Sequence, residues 1–455
     1  MSCIQSWTKE IPLEQIIDSP LFPTIFNALD SSDSFEAAVD CLISMVRETR
    51  DVDDTLPQIQ KLSPHIFRLK SKIAGAAEEE DTEVFKGLAR LLSEAGENWV
   101  VLIAREPRAF KELVEGILEI TTRDWEKEAI GYTFKFWEDI KLWLVMDRYA
   151  EAKVEFAPYL SQLVDNMLRH LQYPEPESGN EADLFDGDRE QEERFRNYRH
   201  DMGNVLKDCC EALGVTECLT KPYNLIETWV STYGARATAA HIPRWQQLEA
   251  ALFALRALGH TVPIEEDVML PRLVPLIVQI PDHEKVRYQA IMTLGRYTEW
   301  TAQHPDTLQQ QLDFIMHAFS HPSAEVVRGA THSFRYFCVD CADLLKDFFG
   351  QIHQFFVSVI SSLPEGAQGD VTEGMAAIVA KQPPEHLYEN LKLCSAPILD
   401  SIIQLAANAN DDKSKLLIAG KTAPVYSSGI LSMLLTTCRQ ITALDNFCPV
   451  RFAIY

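Results

Sequence analysis

EKVRYQAIMTLGRY at 284–297 and EVVRGATHSFRYF at 325–337 are two copies of one pattern, about 40 residues apart, the spacing of a two-helix repeat. In both, Val-Arg opens the run and an aromatic stands near its end. Val286, Ala290, Leu294 and Tyr297 recur at helical spacing. Each copy therefore reads as an amphipathic helix with one apolar face. A second helix follows each copy: 284–300 breaks at His304–Pro305 before 308–319, and 325–341 leads through 343–348 and Gly350 into 351–360. One such pair cannot bury its own apolar face, so pairs must stack on their neighbours. A period of roughly 40–47 residues built from two helices is the HEAT/armadillo signature.

The same period extends outward from these copies. Phe35, Val39, Leu42 and Val46 share one helical face, after an Asp33…Glu36 pair that reads as a capping box. Ile130, Phe134, Trp137 and Trp143 mark another helix. No run of alternating residues bounded by hairpin turns interrupts the pattern. The fold class is all-α: a HEAT-repeat α-α solenoid of about ten helix pairs, covering residues 1–419. Trp137, Phe134, Phe334, Phe337 and Leu294 are its expected core, and the aromatic stripes Trp137 and Trp143, and Phe355 and Phe356, are read as core between repeats rather than as a ligand pocket.

Composition fits one elongated array. The chain has 455 residues, 46% of them apolar, with 42 Lys plus Arg against 67 Asp plus Glu, a formal net charge of −25. Phosphate contacts need clustered Lys and Arg, so direct nucleic-acid binding is disfavoured. A field of this sign favours basic protein partners. The longest apolar runs, such as 99–104, are too short to span a bilayer, so no membrane insertion is expected. The N-terminal residues lack a basic stretch followed by an apolar one, so no secretory signal is read. Ten cysteines are too dilute for a disulfide framework and read as reduced thiols.

One segment breaks the repeat. YPEPESGNEADLFDGDREQEE at 173–193 sets nine carboxylates against a single base, Arg189, with two prolines and two glycines. It reads as a long acidic loop between two helices that adds little to folding. Glu175, Glu177, Glu181, Asp183, Asp186, Asp188 and Glu190 are its candidate partner-binding residues. The plainer alternative is a solvated insertion without a partner.

No constellation for catalysis or for a cofactor or metal is found. Gly420-Lys421-Thr422 ends like a phosphate-binding loop, but Lys415 occupies the required upstream glycine position. Asp186-Gly187-Asp188 lacks the glycine that a calcium loop needs at its sixth position, where Gln191 stands. Cys338-Val339-Asp340-Cys341 has neither a preceding strand nor a second ligand pair, so Cys338 reads as core beside Phe337, with Cys341 near the helix end. Cys209-Cys210 reads the same way. His317 and His321 are spaced i, i+4, but Pro322 ends the helix and separates the rings.

EKEAIGYTFKFWEDI (126–140), RHLQYPEPE (169–177), the acidic gap and EERFRNYRHDMGNVLKDCCEALG (192–214) follow one another in an order that resembles the transportin-SR branch of the importin-beta (karyopherin) family. The resemblance covers about 1–418. It implies a nuclear transport receptor that shuttles between nucleus and cytoplasm, carries Arg/Ser-rich or RNA-binding protein cargo, and meets Ran GTPase and nucleoporins. Arg forms bidentate contacts with carboxylates, which suits an acidic solenoid to such cargo. Two departures are noted. The first helix resembles the middle of such receptors, so a truncated form lacking the N-terminal Ran-holding repeats is expected. From about Gly420 to Tyr455 the sequence no longer reads as a repeat, and 420–455 is set apart as an atypical tail. The alternative is a HEAT-repeat scaffold subunit of a multiprotein complex, without transport activity.

Overall fold

The computed structural model describes residues 6–7, 10–123, 125–176, 178–238 and 241–407. The tail at 420–455 and Glu177 lie outside the described residues. Among the described residues every regular element is a helix, apart from an isolated bridge between Thr238 and His241. The chain divides into two compact units, Met1–Asn224 and Leu225–Tyr455.

In the first unit, α1 (Ser32–Arg47), α2 (Thr82–Asn98), α3 (Lys127–Leu144) and α4 (Arg189–Leu213) pack side by side in chain order and form a front layer. Behind them Lys70–Glu78, Lys111–Thr122 and Ala150–His170 form a second row, each on the next. The apolar stripes meet between the layers: Phe35, Val39, Leu42 and Val46 of α1 are all buried, as are Phe85, Leu88 and Leu92 of α2. The expected capping box is corrected. The helix starts at Ser32, its N-cap Ser31 makes no side-chain cap bond, and Glu36 is taken by Arg90 of α2. That pairing belongs to a ladder of charged contacts joining neighbouring front helices. Arg47 meets Glu94 at 2.8 Å, Arg90 also meets Asp40 at 2.7 Å, and Lys86 meets Glu128 at 2.5 Å. Exposed pairs of this kind each add at most about 1 kcal/mol, so the ladder fixes the register of neighbours more than it stabilises them.

The second unit repeats the plan with α5 (Trp245–Leu258), α6 (Glu284–Leu294), α7 (Ala324–Asp340) and α8 (Glu365–Ala380) as its front layer. The two sequence copies occupy α6 and α7, and their equivalent positions share one fate. Val286 and Val326, Ala290 and Ala330, Leu294 and Phe334, and Tyr297 and Phe337 are all buried. The polar exceptions on this face also match. Thr293 donates to the Leu252 carbonyl at 3.0 Å, and Ser333 to the Ile291 carbonyl at 3.0 Å, so each hydroxyl tethers its helix to the preceding one. Tyr297 adds a bond to the Leu255 carbonyl at 2.6 Å.

Two expectations need correction here. The helix read as continuous over 284–300 is two, because α6 ends at Leu294 and a short helix, Thr298–Gln303, follows. The break falls at Gly295, where α7 approaches so closely that a Cβ would overlap Ser333 Oγ. α2 and α7 are likewise followed by short helices, Val100–Arg105 and Ala342–Leu345. Phe134 and Trp143 are half-buried rather than core. The inward face of α3 carries Thr133, Phe136, Trp137, Ile140 and Leu144. Phe134 lies off that face and stacks on Tyr198 of α4, while Trp143 packs against Tyr149. Phe355 is also only half-buried, although it touches Phe319 and Phe334, and Phe356 is fully buried.

Candidate functional site: an anchored acidic segment

Between Ala150–His170 and α4 the chain leaves the repeat pattern. Its start is held from below, because buried His170 hydrogen-bonds the Thr121 carbonyl through Nε2 at 2.7 Å. The segment then closes on itself. Gly179 has a φ of 70°, and Phe185, Asp186 and Gly187 are consecutively left-handed at 58°, 52° and 72°. A phenylalanine in that region is strained by about 1–2 kcal/mol, and persists only where its surroundings hold it there.

Aromatic packing does the holding. The Phe185 ring lies 6.3 Å from Tyr173 and 5.3 Å from Phe195, and Tyr173 lies 5.3 Å from Phe195. The buried Arg199 guanidinium stands 4.7 Å from the Tyr173 ring centre and 5.6 Å from that of Phe195. Lys127 of α3 reaches 4.5 Å from Phe195. Both ends of the segment are thus fixed to α4, with cations over the ring faces adding to the apolar contact. The motif FRNYRH supplies most of this clamp: Phe195, Arg199, and Tyr198 against Phe134.

The sequence expectation of a loop through 193 is corrected at its far end. α4 begins at Arg189, so Glu190 and Glu192 belong to its first turn and Glu193 follows within the helix. Asp188 is the N-cap, accepting from the amides of Glu190 at 2.8 Å and Gln191 at 3.3 Å. Those amides hold its carboxyl below the usual aspartate range. The macrodipole also favours acids at this end. Asp188 and Glu190 therefore serve the helix start, although both came up in the sequence as binding candidates. Glu190 and Glu192 further approach Arg194 and Arg196 one turn on, at 3.8 and 3.5 Å.

Glu175, Glu181, Asp183 and Asp186 are exposed. Asp183 accepts from Ser178 Oγ at 2.7 Å. The outcome is an acidic surface on a fixed backbone. Sequence reasoning missed the anchors Tyr173, Phe185 and Arg199. The signal available was a single large aromatic, Phe185, inside an otherwise polar and acidic run.

The other sequence candidates sit apart from this segment. Cys338 and Cys341 are buried at the end of α7, and burial pushes the Cys341 thiol up to about 12. Cys209 and Cys210 are buried in α4. His317 is exposed at the last residue of its helix, and His321 lies beyond the helix end. Among the described residues no group of three His, Cys, Asp or Glu is arranged to hold a metal ion, and no helix is long and apolar enough to cross a membrane.

Stacked helix pairs with hydroxyl tethers between repeats, a charged ladder and an acidic insertion define a helical-repeat scaffold of the solenoid class. Family models describing the second and third TPR domains of Transportin-3/Importin-13 match residues 80–170 and 267–355, and an Exportin 1-like model matches 1–42. An uncharacterized protein of Schizosaccharomyces pombe is 39% identical over 431 residues, 91% of this chain and 44% of that protein. The mRNA transport regulator MTR10 of Saccharomyces cerevisiae is 32% identical over 401 residues, 84% of this chain and 39% of that protein. A solved structure of Importin13 in its cytosolic state superposes with a TM-score of 0.71 at 14% identity, covering 94% of this chain and 50% of that one. The chain belongs to the importin-beta (karyopherin) family, as the sequence resemblance implied. It spans less than half the length of these curated relatives.

Proposed function

We propose that this chain forms the cargo-meeting repeats of a nuclear transport receptor of the transportin-SR branch. Its cargo on this reading is an Arg/Ser-rich or RNA-binding protein moved between cytoplasm and nucleus. The matches to Transportin-3/Importin-13 models over 80–170 and 267–355 support the branch. The observation that carries the cargo class is the anchored acidic segment: exposed carboxylates at Glu175, Glu181, Asp183 and Asp186, on a backbone pinned by Tyr173 and Phe185. A fixed acidic surface loses less entropy on binding than a free loop does, and a net charge of −25 draws basic partners to it. Ran GTPase and nucleoporins are further partners of the intact receptor on this reading. No catalytic step is part of it.

Association kinetics with an Arg/Ser-repeat peptide test the reading. Neutralising Glu181→Gln, Asp183→Asn and Asp186→Asn together, with Asp188 kept to preserve the cap, is expected to slow association several-fold at low salt and leave dissociation little changed. Raising the salt should shrink the difference. Equal association rates at low salt would remove the steering role and leave the segment a linker for that cargo.

A further inference from the structure

α5, α6 and α7 stand side by side, and residues one repeat apart take equivalent places on them. Arg256, Arg296 and Tyr336 form one such row, in the last turn of α5, the turn after α6, and α7. Arg296 lays its stem over the end of α5. A Cβ at Gly259 would overlap Arg296 Cγ, so the missing side chain leaves the stem its path. Both arginines are half-buried, and neither makes an ion pair or a hydrogen bond with a described residue. Glu299 lies within electrostatic reach of Arg296 without pairing with it, and Asp340 is occupied by Thr298 at 2.5 Å.

This differs from the front-layer cations already described, such as Arg47, Lys86 and Arg90, which are engaged by acids. It differs also from Arg335, held by Glu373 at 3.0 Å. Burial, with Arg256 alongside, pulls the Arg296 guanidinium below its ordinary range. The C-terminal ends of α5 and α6 offer partial negative charge, which helps the row tolerate two neighbouring cations.

We propose that the Arg256–Arg296–Tyr336 row is a docking point for the carboxylate side chains of an acidic peptide segment on a partner protein. Guanidinium groups present paired N–H donors that match a carboxylate. The half-exposed Tyr336 phenol makes no hydrogen bond among the described residues and adds a neutral donor. A bound carboxylate would separate and neutralise the two like charges. Nucleic acid is the poorer occupant, because a polyanion must approach a chain of net charge −25, whereas a short acidic segment brings few charges.

The test is fluorescence anisotropy of the full chain with a labelled glutamate-rich peptide, its glutamine-matched counterpart and a single-stranded oligonucleotide. The glutamate peptide should bind and the glutamine peptide should not. Arg256→Gln and Arg296→Gln, the latter keeping much of the stem over Gly259, should each weaken binding about tenfold, the loss of one charge-assisted contact. Tyr336→Phe should weaken it less. Arg256 is not among the buried core residues, so its variant should keep a melting temperature close to that of the wild type. It remains informative if the Arg296 variant unfolds. Absence of glutamate-peptide binding, equal binding by Arg256→Gln, or preference for the oligonucleotide would overturn the proposal.

Discussion

Replacing Trp137 with alanine is expected to lower the unfolding free energy by about 3–5 kcal/mol. The indole is 2% exposed, packs at 4.9 Å from Phe136, and donates through Nε1 to Thr121 Oγ1 at 3.2 Å. Thr121 in turn donates to the Ile117 carbonyl at 2.7 Å, in the helix behind α3. Truncation therefore opens a void between the layers and removes a donor from a buried hydroxyl. Stability in a repeat array is roughly a sum over neighbours, so the loss should appear first as faster amide exchange in α2, α3 and α4. Trp137→Phe keeps most of the volume and should lose far less. A loss below about 1 kcal/mol for the alanine variant, measured by chemical denaturation, would mean the layer interface is misassigned.

Lys141→Met is the second large effect. The ammonium sits between Asp208 and Glu211 of α4, at 2.9 Å from each, and the side chains of Lys141 and Asp208 are only 13% and 15% exposed. Burial pulls Lys141 down, but its hydrogen bonds to the two acids outweigh that and leave it raised. Burial raises Asp208 above the usual carboxylate range even with the lysine present. Removing the cation strands that carboxylate, at roughly 2–3 kcal/mol once the open Glu211 side is discounted. The sign with pH follows from the raised folded value. Ionised Asp208 weakens the fold, so its unfavourable contribution appears as pH rises through the folded pKa. Without Lys141 that pKa climbs further. The gap between wild type and variant should therefore be widest at neutral to mildly alkaline pH. It should close as pH falls and Asp208 takes up its proton in both proteins. Denaturation midpoints across pH check this, and a gap independent of pH would assign the effect to packing alone.

The repeat architecture was legible because two helices in succession carry the same face. Val286, Ala290, Leu294 and Tyr297 at helical spacing could bury only one way, and α7 repeats the pattern. Boundaries were less legible. The break after Leu294 has no local periodic signal, because the apolar spacing runs on through Tyr297. Phe134 was placed in the core because an aromatic at near-helical spacing looks buried, and only the presence of Tyr198 on the next helix explains its position at the edge. Glu36 was read as a local cap because Arg90, its actual partner, lies on another helix.

In the candidate site, the carboxylates were legible as composition, and their anchoring was not. Strained Phe185 has no periodic context, and its partner Phe195, with the Arg199 that faces Phe195 and Tyr173, lies one helix turn and more inside α4. The resemblance motif contained those partners, while giving no indication that they clamp the segment preceding them. This is why Asp188 appeared as a binding residue when its geometry is that of a helix cap.

Hydrogen–deuterium exchange of the chain with and without an Arg/Ser-repeat peptide tests the central claim most directly. If the anchored segment meets basic cargo, amides across 178–188 should slow when the peptide binds, while those of the buried faces of α6 and α7 stay unchanged. Peptide binding with no change in exchange across 178–188 would contradict that claim.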